Sequence, residues 1–478
     1  MLVSKGLSCT QTYTGLMSKG KPPNSSSPPL QGFHPPASAR EASARRLADQ
    51  ARRWPDFVLA PMGVDRLDSR DAALAHAIYD AAMRRWLTLE WLLNQFLQSP
   101  LTTVEPALQG VLLSGAAQLT FFDRVPVHSA IDETVELSKS LVRAGAAGIT
   151  NAVLRRVADC LGDRTSEVFE GDWPPDRLPL SDGTAVMLKG VSLSDDWRAR
   201  LGIATSTPAW LLKRWAMRRP RHAVHMLAMH GLIAAPTILN TRYATSPLPD
   251  DLSPHSQRGS HCFNGSRDQL ADLLASRTDI WVQDPASQRP IAEAAARLDQ
   301  PPSLIMDLCA GQGTKTRQLA AAFPNARIVA TDTDDRRLRT LAETFAGSEQ
   351  VEVISPSDVL LKYHGKADLI LLDVPCTNTG VLSRRIEAKY RCDDEQLKRL
   401  TDLQKQIIAD SIPLLRSRPS RGRILYSTCS LEPEENQSQA DWASRWHSFR
   451  VAGFEAVDPT GKPGGPSDGY SDGSFWAL

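Results

Sequence analysis

Leu304-Ile305-Met306-Asp307-Leu308-Cys309-Ala310-Gly311-Gln312-Gly313-Thr314-Lys315-Thr316 decides the fold of this chain. An aliphatic run stops at an acid, Gly311 and Gly313 follow, and the spacing then becomes that of a helix. Glycines let the backbone approach a ligand closely, and the first turn of the next helix presents unpaired N–H groups. Nucleotide, phosphate and methyl-donor sites all share such a turn, although the phosphate-binding pattern GxxxxGK[ST] cannot be aligned here. Further runs at Arg327 to Asp332, Val351 to Ile354, Leu369 to Asp373 and Arg423 to Thr428 alternate with helical spacing at Lys315 to Phe323, Asp335 to Phe345 and Glu395 to Leu415. From about Ile280 this alternation predicts βαβ units, an α/β Rossmann-like domain whose parallel sheet is covered on both faces. Ligands of such sheets sit beyond the carboxyl ends of the strands.

Those strand ends carry acids and thiols. Asp307 closes the first strand and Asp332 the second, about twenty residues past the glycines, where an acid in such a unit accepts from ribose hydroxyls. Asp358 follows the third and Asp373 closes the fourth. Any one of them is as readily a helix cap; together they suit a nucleoside cofactor carrying hydroxyls, an amino group and a positive sulfonium. Asp373-Val374-Pro375-Cys376-Thr377-Asn378-Thr379-Gly380 and Tyr426-Ser427-Thr428-Cys429-Ser430-Leu431-Glu432-Pro433-Glu434-Glu435-Asn436 each put a cysteine just beyond a strand. A lone buried cysteine is ordinarily an inert small hydrophobe. Two at such strand ends, beside a cofactor turn, point to chemistry.

Upstream, the 478 residues exceed one hydrophobic core, and no apolar run approaches the ~18 to 20 residues that would span a bilayer. With 42% hydrophobic and 23% charged residues, the chain is neither an integral membrane protein nor wholly disordered. Lys and Arg number 55 against 54 Asp and Glu, so any RNA-binding surface has to be local. The 7 cysteines, an odd number without CxxC spacing, predict neither a zinc site nor a disulfide framework and fit a reducing compartment. Without a secretory apolar segment at the N-terminus, a cytoplasmic protein is expected. Residues 1–38, rich in Ser, Pro, Gly and Lys, read as a disordered tail. Residues 39–162 read as helical, with Leu74, Ile78, Ala82, Trp86, Leu89, Leu93 and Phe96 striping one face, and with helix starts at Thr102-Thr103 and Ser129. Residues 163–275 read as a linker, from Leu161 to about Asp196, and a small connector without a core of its own; residues 276–478 form the α/β domain. In the connector, Lys213, Arg214, Arg218, Arg219 and Arg221 interleave with Trp210 and Trp215, a pattern that suits phosphates and bases or a solvated helix face.

Two resemblances join these observations. Pro126-Val127-His128-Ser129-Ala130-Ile131-Asp132-Glu133-Thr134-Val135-Glu136-Leu137 and Gly148-Ile149-Thr150-Asn151-Ala152-Val153-Leu154-Arg155-Arg156 resemble the C-terminal half of the NusB family of RNA-binding helical domains. DxCAxxGxKT, DVPC and STCSLEPEEN, with Val282-Gln283-Asp284-Pro285-Ala286-Ser287-Gln288 before the first strand, resemble the RNA cytosine-C5 methyltransferases. With NusB-like helices in front, the chain looks like the RsmB/Sun/Fmu family of bacterial ribosomal RNA methyltransferases. The resemblance covers about residues 40–160 and 205–478. It departs at Gln312 and Thr314, where the family usually has Pro and Gly, and at Asn378, where a small residue is common. The last strand, in Asp472 to Leu478, is a few residues shorter than the family's.

The resemblance implies S-adenosyl-L-methionine as cofactor, held by Cys309, Ala310, Gly311, Gln312, Gly313, Thr314, Lys315, Asp332, Asp358 and Asp373, and no metal. It assigns the attacking thiolate to Cys429, breakdown of the covalent cytosine adduct to Cys376, and the pyrimidine edge to Asp373. Ribosomal RNA is the implied partner and a monomer the implied state. A thiolate near neutral pH calls for a partly exposed, electropositive Cys429, with Lys315 as a contributor. Arg384, Arg385, Lys389, Arg391, Arg416, Arg418, Arg421 and Arg423 are candidates to hold phosphates around a base taken from a loop or flipped from its stack. Amino-group methylation is disfavoured, since Cys376 stands where an aromatic ring would grip the exocyclic nitrogen. Transfer RNA as substrate, or a non-catalytic RNA-binding assembly factor, are the competing readings.

Overall fold

The computed structural model describes residues 35–166, 172–417 and 422–478. Most of the expected tail, together with Arg418 and Arg421, lies outside the described residues.

Six helices come first: Ala39–Ala51, Ser69–Arg84, Trp86–Asn94, Pro106–Phe121, Val127–Leu141 and Ala146–Cys160. Ser38 and Asp68 cap the first two by accepting from the backbone N–H of Glu41 and Asp71. Thr102-Thr103 and Ser129 do not act as caps: Leu101–Thr103 is a 3-10 turn, Pro106 opens the next helix, and Ser129 lies inside Val127–Leu141 bonded to Glu133. The apolar stripe from Leu74 to Phe96 is likewise not one helix. It breaks at Arg85 (φ −116°, ψ 25°), whose buried guanidinium donates to the carbonyls of Pro179 at 2.6 Å and Ala204 at 2.9 Å. Leu89, Leu92, Leu93, Leu112, Leu113 and Leu154 fill the core at 0% exposure, each stabilising the fold by roughly 1.5–3 kcal/mol.

The expected linker is instead a folded sheet. Strands β1 (Leu161–Thr165), β2 (Arg177–Pro179) and β3 (Ala185–Leu188) pair antiparallel in the order β1-β3-β2. Leu178, Ala185 and Val186 pack there with Trp173, and Trp91 and Phe121 of the helical region add to the cluster. After helices Trp197–Thr205, Ala209–Arg218 and Arg221–His230, strands β4 (Ile238–Asn240), β5 (Leu252–Pro254), β6 (Ser260–Phe263) and β7 (Trp281–Val282) form a second antiparallel sheet. The connector therefore has a small core of its own, built on Leu239, Phe263 and Ile280.

The C-terminal domain holds β8 (Leu304–Asp307), β9 (Arg327–Ala330), β10 (Val351–Val353), β11 (Leu369–Asp373), β12 (Arg423–Thr428), β13 (Phe454–Val457) and β14 (Ser474–Ala477) in the order β10-β9-β8-β11-β12-β14-β13. β8 to β12 are parallel, while β14 pairs antiparallel with both β12 and β13. Alternate residues face opposite layers: Ile305, Leu369 and Leu371 pack on one side, Leu304, Met306, Ile370 and Leu372 on the other. Chain order reverses between β8 and β11, which opens a crevice at their carboxyl ends.

The helical domain clamps this crevice from outside. Ile386 and Tyr390, beyond the Cys376 loop, enter the helical core beside Trp54 and Phe57. The Tyr390 hydroxyl donates to Met83 O at 2.8 Å, Lys389 Nζ to Arg84 O at 2.8 Å, and Arg84 Nη1 returns a bond to Ser383 O at 2.9 Å.

Candidate active site

The residue after β8 begins a turn that its own backbone holds. Ala310 N–H bonds to Thr331 O at 3.0 Å and Gly313 N–H to Ala310 O at 2.9 Å. Gly311 N–H donates to Asp332 Oδ2 at 2.9 Å, tying the ends of β8 and β9 together. Gly313, at φ +90°, caps helix Thr314–Ala322; a Cβ there would lie 2.6 Å from the Phe345 ring, so glycine is needed for both backbone and space. Gln312 and Thr314 are exposed, so neither departure from the family pattern disturbs the turn.

Lys315, in the first turn of that helix, reaches across the switch point and donates to Asp373 Oδ2 at 2.8 Å. Burial opposes its charge, but the Asp373 carboxylate outweighs that and holds the ammonium above its ordinary range. Ser427 Oγ donates to the other oxygen, Asp373 Oδ1, at 2.8 Å. Beneath them Asp307 is fully buried, with Thr316 Oγ1 donating to Oδ2 at 2.7 Å and Oδ1 without a partner. Burial, with the nearby Asp373 charge adding, pushes its carboxyl up to about 7. Cys309 is raised by burial and by Asp307, Asp373 and Asp332, so it remains a thiol.

In-register pairing of Asp373 with Ser427 brings the two cysteine loops side by side. Cys376 Sγ and Cys429 Sγ are 3.3 Å apart, the first buried and the second partly exposed. Gly380 N–H donates to Cys429 O at 2.9 Å, and a Cβ on Gly380 would meet that oxygen at 2.8 Å, so the two backbones touch. The bond to Cys429, followed by burial, holds Cys376 well above the ordinary thiol range. Either sulfur could donate in this contact. Asn378 Oδ1 lies 3.2 Å from Cys429 Sγ. Glu435 sits under both loops, fully buried, accepting from Thr377 N–H at 2.9 Å and Gln404 Nε2 at 3.0 Å. Burial pushes its carboxyl up.

The structure thus brings together Cys376, Cys429, Asp373 and Lys315, and gathers Cys309 to Thr314 with Asp332. Asp358, in the first turn of helix Pro356–Tyr363, makes its bond within that helix, to Lys362 at 3.1 Å. Lys315 is bound to Asp373 and its charge interacts with Cys429, while the hydrogen-bond partners of the sulfur are Cys376 and Asn378.

Most of the expected phosphate holders have protein partners. Arg384 bridges Asp284 at 3.1 Å and Asp472 at 2.8 Å, and Lys389 is 1% exposed inside the domain clamp. Arg391 pairs with Glu387, Arg416 with Asp368 and Arg423 with Asp299, leaving Arg385 exposed. The basic segment behaves alike. Arg214 donates to Glu432 at 2.7 Å and Glu434 at 2.8 Å, Arg218 to Glu434, Arg219 to Asp458, and Arg221 pairs with Asp172. Trp215 is in the core and Lys213 is exposed. Arg214 and Arg218 dock their helix onto the Cys429 turn.

The glycine turn fits a sulfonium nucleoside. A Cβ on Gly311 would meet nothing within 4 Å, so space lies open beside the turn, and Asp307 leaves one buried oxygen unpartnered behind it. Among the described residues, no group of three or more His, Cys, Asp or Glu could hold a metal ion, and no helix is long and apolar enough to cross a membrane.

Comparison with known proteins agrees. Residues 296–465 match the family model described as 16S rRNA methyltransferase RsmB/F, and residues 49–159 match that of the NusB family. The ribosomal RNA small subunit methyltransferase B of Xanthomonas campestris pv. campestris is 28% identical over 92% of this chain and 96% of its own. That of Photorhabdus laumondii is 26% identical over 86% and 91%. The crystal structure of PH0851 has the same fold, with a TM-score of 0.65 at 18% identity, covering 91% of this chain and 98% of that one. The chain is therefore an S-adenosylmethionine-dependent RNA methyltransferase, whose Rossmann-like domain matches the RsmB/F model and whose helical domain matches the NusB model, with two thiols at neighbouring strand ends.

Proposed function

We propose that this protein methylates carbon 5 of a cytosine in small-subunit ribosomal RNA, through a covalent bond between Cys429 and carbon 6. The observation that carries this is the pair of thiols 3.3 Å apart beside the Lys315–Asp373 ion pair. When bound, S-adenosylmethionine supplies an electrophilic methyl group. Cys309 to Lys315, with Asp332 and Asp358, would hold it, and Asp373 would contact both cofactor and base.

Carbon 5 of cytosine is a poor nucleophile until sulfur adds at carbon 6. Cys429, partly exposed, is placed to add. Asp373, fixed by Lys315 and Ser427, accepts a hydrogen bond from the amino group on the pyrimidine edge, and the Lys315 ammonium beside it offsets the negative charge that develops as sulfur adds. Once carbon 5 is substituted, its proton passes to water and the electron pair left behind restores the ring and expels the sulfur. Cys376, kept protonated and aimed at Cys429, donates a hydrogen bond to the departing thiolate. The NusB-like domain presents the RNA, and since every named group comes from one chain, a monomer suffices.

Cys376→Ala on small-subunit ribosomal RNA tests this. The account expects a protein–RNA adduct that survives denaturing electrophoresis and disappears in Cys376→Ala/Cys429→Ala. Full turnover by Cys376→Ala with no adduct would overturn the role given to Cys376.

A further inference from the structure

Asn378 is the residue of the Cys376 loop that methyl transfer leaves without a task. It stands at φ +62°, a conformation that asparagine and glycine accept better than other residues. Its Nδ2 donates to Cys376 O at 2.8 Å. A backbone carbonyl only accepts, so this bond fixes which end of the carboxamide faces which way. Oδ1 must therefore be the atom 3.2 Å from Cys429 Sγ.

A carboxamide oxygen accepts from a thiol and repels a thiolate. We propose that Asn378 holds Cys429 in its protonated, unreactive form until RNA enters the cleft, as a guard on the nucleophile. This deepens the reading of Cys429 as that nucleophile and rests on it. The other titratable groups around the sulfur do not accept its proton. Cys376, itself kept protonated, faces it at 3.3 Å, Lys315 is bound to Asp373 with its charge reaching the sulfur, and Glu435 and Asp307 accept from Thr377 and Thr316. Release requires the carboxamide to turn its Nδ2 toward sulfur and give up Cys376 O, while the thiol proton passes to solvent. An arriving base that displaces Asn378 drives this. Without RNA the enzyme keeps its thiol covered against alkylation and oxidation.

The test is the rate at which iodoacetamide alkylates Cys429 in the full-length, RNA-free protein, followed by peptide mass spectrometry across a range of pH. In this reaction the thiolate displaces iodide and the thiol proton goes to buffer. Asn378→Gly keeps the left-handed backbone and removes the acceptor, so alkylation near neutral pH should quicken about fivefold, the value of one ordinary hydrogen bond. The gap should close at alkaline pH, where the thiol is ionised in both proteins. Asn378→Asp, which also tolerates this backbone, should slow alkylation instead. Unchanged or slower alkylation in Asn378→Gly, or a gap of equal size at every pH, would overturn the proposal, the latter because it reports access rather than protonation. If Cys429→Ala kept methyl transfer, the nucleophile reading would fall, while the alkylation profiles would still judge the hydrogen bond.

Discussion

Asp307→Asn should make the protein more stable above neutral pH, and by an amount that grows with pH. Asp307 is buried at the end of β8 with one oxygen bonded to Thr316 and the other to nothing. Its folded carboxyl titrates at about 7, above its unfolded value, so the folded state holds the proton more tightly. Its contribution is therefore complete below about pH 4 and is lost as pH rises through about 7. With each pKa unit worth 1.36 kcal/mol, the loss amounts to about 4 kcal/mol above neutrality. Asparagine has no charge to bury and keeps an oxygen for Thr316. Urea unfolding of the cofactor-free proteins at about pH 5 and about pH 8 should show the advantage of Asp307→Asn widening by about 3 kcal/mol. A pH-independent difference, or a variant less stable at the higher pH, would refute the reasoning.

Tyr390→Phe should cost about 1 to 2 kcal/mol through the lost bond to Met83 O, and Tyr390→Ala about 3 to 5 by emptying its place in the aromatic cluster; chemical unfolding measures both. Both should also slow methyl transfer, because the clamp they loosen holds the loop beyond Cys376. Arg214→Ala leaves the Glu432 carboxylate, 1% exposed, with Arg218 at 3.9 Å as its remaining counter-ion, so a loss of up to about 3 to 5 kcal/mol is expected in the same assay. A change below about 1 kcal/mol would mean that Glu432 finds water or a proton instead.

The parallel sheet was legible because its signals are local: aliphatic runs that stop at acids, and helical spacing between them. Cys376 and Cys429 came into view because each stands at a strand end, a position that spacing alone reveals. The sheet of β1, β2 and β3 was hidden, since Leu161-Gly162-Asp163-Arg164-Thr165 has the composition of a loop and borrows its cover from Trp91 and Phe121 on distant helices. Charge partners were hidden for a related reason. Arg214 and Arg219 meet Glu432 and Asp458 only after folding, so a docking face and an RNA-binding face have the same sequence. Among the acids of Glu432-Pro433-Glu434-Glu435, nothing local shows that Glu435 turns under the two loops while Glu434 stays half exposed. In the sequence Asn378 stands out only as a departure from the family pattern; its contact with Cys429 depends on a backbone turn that the sequence does not display.

The most direct measurement is transfer of labelled methyl from S-adenosylmethionine to protein-free small-subunit ribosomal RNA, comparing the native protein with Cys429→Ala. The account predicts 5-methylcytosine from the native protein and none from the variant. Equal label from both would contradict Cys429 as the nucleophile, and no label from either would contradict methylation of this RNA.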